Sequence, residues 1–125
     1  MNDIEKRILL IDERLDAKLY AALVESGGKV TACKSPRNAW DLIYPLPPHF
    51  IVVHLYHPNP EDVAMLQECR FMAKGAPIVV ATTYEQTEIL KNVLEDRPAA
   101  FLVLPVGPHD VSRVFSAVKQ STNQE

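Results

Sequence analysis

A chain of 125 residues, 47% hydrophobic and 23% charged, has the size and make-up of one ordinary globular domain that buries a single core without staples or metal. With 13 Lys and Arg against 16 Asp and Glu it carries a net charge of -3 and no basic stripe, which argues against direct nucleic-acid binding. No apolar run approaches the roughly 18 to 20 residues of a membrane helix, and Met1 to Arg7 lead straight into a strand, so a cytoplasmic, unprocessed chain with no membrane partner is expected.

The first element is the apolar run Ile8 to Ile11, whose unbroken hydrophobicity is what a parallel strand covered on both faces requires. Leu15, Leu19, Ala22 and Leu23 then form one helical stripe, and Gly27-Gly28 supplies the left-handed residue that ends such a helix. A weaker strand follows at Lys29 to Cys33, where polar residues alternate with Val30 and Ala32 as at a sheet edge. Ser35 before Pro36 reads as the cap and first-turn residue of a short helix that packs Ala39 and Ile43. Trp40 lies one position off that stripe and is expected to pack rather than to recognise a ligand.

Pro45-Leu46-Pro47-Pro48 is a stiff loop entering the third strand, Phe50 to Val53. A third helix runs from about Pro60 to Lys74 and stops at Gly75. Its apolar face carries Leu66, Cys69 and Met72. With no CxxC spacing, Cys69 and Cys33 are expected to be reduced thiols, Cys69 behaving as a small buried hydrophobe. The fourth strand is Ile78 to Ala81, and Thr83 with Gln86 forms a capping box for a helix through Leu94. Phe101 to Leu104 is the fifth strand. The last helix opens near Pro108 and places Val111, Val114, Phe115 and Val118 at spacings of 3, 4 and 7.

Five βα units in succession imply a single α/β domain over residues 1–125, with its core about 7–119. The sheet is expected to be doubly wound, five-stranded and parallel, in the order 2-1-3-4-5, with helices on both faces. Ligands of such sheets sit outside the carboxyl ends of the strands, at the switch point between strands 1 and 3. Here that edge is made by Asp12, Glu13, His54, Thr82 and Leu104.

At this edge the chain resembles a receiver domain of the bacterial response-regulator family, which has a flavodoxin-like fold. Ile8 to Glu13 are similar to the family's first strand and acidic pair, and Phe50 to Pro58 to its third strand and loop proline. Pro77 to Thr82 resemble the fourth strand ending in a switch threonine. Phe101 to Pro105 resemble the fifth, with Phe101 as the switch aromatic and Pro105 as the proline of a Lys-Pro pair. The resemblance implies a two-component signalling module, not an enzyme, that acts on a protein partner or a downstream output domain. It also implies a route to homodimers through helix 4, strand 5 and helix 5.

The departures fall on the chemistry. His54 stands where the family has its phosphoacceptor aspartate, and Leu104 where it has the lysine that pairs with the phosphoryl group. Aspartyl phosphorylation needs a carboxylate nucleophile, a hard cation on oxygen ligands and a cationic group on the phosphoryl oxygens. The first and third are missing, so Asp12, Glu13, His54 and Leu104 are expected to form a degenerate phosphorylation site. Glu61 and Asp62, at the head of helix 3, are explained by the helix dipole and do not stand in.

Asp12 and Glu13 retain the acids of a Mg2+ site; the plainer reading has them capping the first helix or pairing with Arg14. His54 is either a group satisfied by these carboxylates or, with Asp12, Glu13 and His57, part of a transition-metal or pH-responsive site. Thr82 and Phe101 either form the family's two-position switch or merely cap helix 4 and fill a groove. Pro105 is a candidate for a cis peptide after Leu104. The reading that follows is a pseudo-receiver without resident cofactor that works by protein–protein interaction, its alternative the metal- or pH-responsive switch. A nucleotide site is disfavoured because Asp12-Glu13-Arg14 follows strand 1 where a phosphate-cradling Gly-rich loop would be needed.

Overall fold

The computed structural model describes residues 6–43, 47–56, 60–73, 75–94 and 98–122. The expectations placed on Pro45, Leu46, His57, Pro58 and Lys74, and on the side chains of Trp40, Ile43 and Met72, fall outside the described residues. The apolar runs become the strands β1 (Lys6–Ile11), β2 (Gly28–Cys33), β3 (Phe50–His54), β4 (Ile78–Thr83) and β5 (Ala100–Leu104). All pair in parallel, in the order β2-β1-β3-β4-β5. Between them lie α1 (Ala17–Glu25), α2 (Pro36–Ile43), α3 (Pro60–Ala73) and α4 (Tyr84–Val93), and α5 (Pro108–Thr122) closes the chain.

Alternation along each central strand divides the core into two layers. Leu9, Ile11, Ile51, Val53, Ile78 and Val80 face Ala39 of α2, Leu66, Cys69 and Ala73 of α3, and Leu90 of α4. Ile8, Leu10, Phe50, Val52, Val79 and Ala81 face Leu19, Ala22 and Leu23 of α1 and Val111, Phe115 and Val118 of α5. The rings of Phe50 and Phe115 stack with centroids 4.3 Å apart. Strands apolar at every position are thus explained, since each residue meets one layer or the other.

Both cysteines are buried and unpaired. Burial raises the pKa of the Cys33 thiol, and with help from the neighbouring Glu68 charge it pushes Cys69 up to about 12.

Helix boundaries follow local chemistry. Asp16 is the N-cap of α1, accepting from the backbone N–H groups of Lys18 and Leu19. The helix therefore starts at Ala17, and Leu15, expected on its apolar stripe, instead lies in the preceding turn with φ of 51° and 44% exposure. Gly27 takes the left-handed conformation after α1, with φ of 100°. A Cβ at Gly28 would collide with Ile8 Cδ1, so a side chain there would require the Ile8 end to shift. Ser35 Oγ accepts from the Asn38 N–H at the head of α2, at 3.4 Å. Thr83 caps α4 by accepting from the Gln86 N–H at 3.3 Å.

Candidate functional site

The parallel register brings the chemistry-bearing residues to one edge. Ile11 pairs with Val53, His54 with Ala81, and Thr83 with Leu104, so Asp12, His54, Thr82 and Leu104 follow one another across the carboxyl ends of the sheet. The bond from the Asp12 N–H to the Cys33 carbonyl, 2.9 Å, extends β1 by one residue and aims Asp12 into this edge.

Asp12 is fully buried. Its Oδ1 accepts from the Arg14 N–H at 3.1 Å and from the Tyr56 hydroxyl at 2.5 Å. Its Oδ2 accepts from the Asp16 N–H at 2.9 Å and meets His54 Nδ1 at 3.1 Å. A carboxylate offers about four lone-pair directions, and all are taken. Burial alone would raise the Asp12 pKa, but the bonds from His54, Tyr56 and the Asp16 backbone, together with the His54 charge, outweigh it and hold the carboxyl at about 2. An ionised Oδ2 only accepts, so Nδ1 of His54 is the donor in this bond.

Tyr56, two residues beyond His54, closes this arrangement. Its ring stacks on the His54 imidazole with centroids 3.9 Å apart, and the Arg14 guanidinium lies over the ring 4.5 Å from its centroid. Burial, followed by the Asp12 bond and charge, drives the Tyr56 pKa well upward, which keeps the phenol a donor. Arg14, Tyr56, His54 and Asp12 thus form a stack whose innermost member is an ionised carboxylate with no free acceptor site.

The acidic pair is split. Glu13 is exposed and makes no hydrogen bond or ion pair among the described residues, while Asp12 is enclosed. Capping of α1 falls to Asp16, and Asp12 serves the turn before it through the N–H groups of Arg14 and Asp16. Arg14 pairs with Tyr56 through its guanidinium and meets Asp12 only through its backbone. No group of three or more His, Cys, Asp or Glu side chains among the described residues is arranged to hold a metal ion.

Thr82, 1% exposed, donates from Oγ1 to the Leu55 carbonyl at 2.8 Å. It is not the cap of α4, since β4 runs on through Thr83 and capping needs a residue just outside the helix. Phe101 is half-buried, paired in register with Val80, and packs against the α2, α3 and α4 layer. Leu104 is half-buried and packs on the α1 and α5 layer. The Leu104–Pro105 peptide is cis.

Tyr56 and Asp16 are the residues that sequence reasoning missed. The signal for Asp16 was present, an acid three residues ahead of Leu19 on the first apolar stripe; Tyr56 offered only an aromatic placed just past a buried strand end.

The strand order defines a doubly wound parallel α/β domain with an enclosed carboxyl edge. No protein-family model matches the chain. It is 29% identical over 111 residues to the two-component response regulator ORR11 of Oryza sativa subsp. indica, covering 86% of this chain and 76% of that protein. A response regulator from Thermotoga maritima superposes with a TM-score of 0.75, covering 94% of this chain and 99% of that one at 13% identity. The structure described as an adenylate cyclase from Rhodopirellula baltica gives 0.68 at 25% identity, covering 94% and 90%. In sequence the chain is similar to a two-component response regulator, and in fold to response-regulator receiver domains.

Proposed function

We propose that the chain is a pseudo-receiver, a non-enzymatic module of cytoplasmic signalling that has given up aspartyl phosphorylation and acts by binding a protein partner or an attached output domain. The observation that carries this reading is the Asp12 carboxylate, with every acceptor direction filled by Arg14, Asp16, His54 and Tyr56. A divalent cation on Asp12 would have to displace at least one of these donors, and at residue 104 an apolar, half-buried leucine offers no cationic compensation for a phosphoryl group. Hence no resident cofactor is assigned. The face of α4, β5 and α5 is the proposed contact surface, including for a homodimer, because it carries Tyr84 at 65% exposure with Ile89 and Val103 also exposed. No helix of the described residues is long and apolar enough to cross a membrane.

Incubating the full chain with acetyl phosphate and Mg2+, then weighing it intact, tests the proposal. The mass is expected to stay unchanged; a stable phosphoryl adduct would overturn it. The alternative of a metal-responsive switch through Asp12, Glu13, His54 and His57 draws no support from the outward Glu13 or the saturated Asp12. Titration with zinc would revive it if the metal bound more tightly to the wild type than to His54→Ala.

A further inference from the structure

Resting on the reading of a sealed site, we propose that Tyr56 is a positioning residue that holds Thr82, and with it the start of α4, in a single conformation without any phosphoryl group.

The three residues leaving β3 are each pinned by a different contact. The His54 ring meets Asp12 at 3.1 Å, the Leu55 N–H donates to the Ala81 carbonyl at 3.0 Å, and the Tyr56 hydroxyl donates to Asp12 at 2.5 Å. The carbonyl that accepts from Thr82 belongs to the peptide plane joining Leu55 to Tyr56. That plane ends at the Tyr56 backbone, and Tyr56 is held by its bond to Asp12 and by ring contacts with His54 and Arg14, which restrain the φ of residue 56 and with it the carbonyl. Beyond Thr82 the connection is direct. Thr83 caps α4, and its carbonyl accepts from Thr87 Oγ1 at 2.8 Å, so the orientation of residue 82 is passed to the first turn of the helix.

At 1% exposure Thr82 has no water with which to replace the Leu55 carbonyl, and another rotamer would leave its hydroxyl buried without that partner. The phenol therefore acts on Thr82 through the Leu55 carbonyl, from inside the chain. It fixes the threonine inward and displays Tyr84, Ile89 and Val103 in one arrangement.

The test uses Tyr56→Phe, which keeps the ring and both of its stacks and removes only the donor. Two signals are read by NMR on the full chain: the titration of the Asp12 carboxyl, and amide exchange with methyl shifts from Thr82 to Thr87. The Asp12 titration is expected to move to higher pH, the Thr82 methyl to shift, and exchange at Gln86 and Thr87 to quicken by about tenfold, the effect of one lost hydrogen bond. In a Thr82→Val background the same replacement is expected to move Asp12 but to add nothing at α4. Should Tyr56→Phe fail to fold, Arg14→Ala, which leaves the phenol and loosens its grip, is expected to shift both signals in the same direction by less.

A shift of Asp12 with no change at Thr82 and α4 would overturn the positioning role while leaving the sealed site intact. An unmoved Asp12 titration would overturn it as well. A phosphoryl adduct on the wild type is the separate result that removes the reading on which it rests.

Discussion

A buried acid held at about 2 makes stability depend on pH in a definite direction. The folded-state pKa of Asp12 lies below its ordinary value of 3.8, so its contribution is fully present above about pH 4 and is lost as the pH falls through about 2. The shift corresponds to about 2 kcal/mol. Urea unfolding at neutral and acid pH is expected to show the wild type losing that increment more than Asp12→Asn does. Replacing His54 is a sharper trial. His54→Asp restores the residue type of the family but places a second carboxylate where a donor stood 3.1 Å from Asp12. We expect a loss of about 3 kcal/mol at pH 7, the usual scale for breaking a buried charge pair, narrowing as the pH is lowered and one acid takes up a proton. With Tyr56 and Leu104 unchanged, this variant should still give no phosphoryl adduct by mass. The place of His54 and Leu104 at the carboxyl edge was legible in the sequence, since each ends an apolar strand. Tyr56 was not, because nothing local says that an aromatic after a strand will turn back onto an acid 44 residues earlier.

The elements are set by short-range chemistry that the sequence states openly. Asp16 and Thr83 end extended segments by taking the first N–H groups of α1 and α4, and Gly27 accepts a left-handed turn that other residues resist. Thr83→Ala is expected to cost about 1 kcal/mol in urea unfolding, the common effect of losing an N-cap. Its effect should be confined to α4, so exchange at Gln86 and Thr87 will rise while that of β1 amides follows only the global change. Where the expectation for an element failed, as for Leu15, the reason is competition between two rules. Hydrophobic spacing extended the α1 stripe backward, but the cap at Asp16 and the bond from the Leu15 N–H to the Asp12 carbonyl, 3.1 Å, drew residue 15 into the turn. At α4 the cap falls on Thr83, as its spacing from Gln86 predicts, and Thr82 stays within β4.

At the scale of the whole molecule, two apolar layers share one sheet, and the stacked pair Phe50 and Phe115 joins the central strand to α5. Phe115 is 2% exposed, and Phe115→Ala is expected to destabilise by about 3 to 5 kcal/mol in a single cooperative transition monitored by both fluorescence and circular dichroism. Strand order, parallel pairing and the division of the core were within reach of the sequence. Continuous apolar runs must be covered on both faces, and the connection rules leave few ways of arranging five βα units. The sequence also determined which residue types reach the carboxyl edge, since each follows directly on a strand. What only the tertiary structure decided is how those groups divide their hydrogen bonds: Asp12 enclosed and Glu13 turned outward, Tyr56 folded onto Asp12, Thr82 committed to the Leu55 carbonyl. The reason is physical. Strand and helix periods are properties of neighbouring residues, whereas the pairing of a buried polar group is settled by whichever donors the assembled sheet brings within about 3 Å, regardless of their distance along the chain.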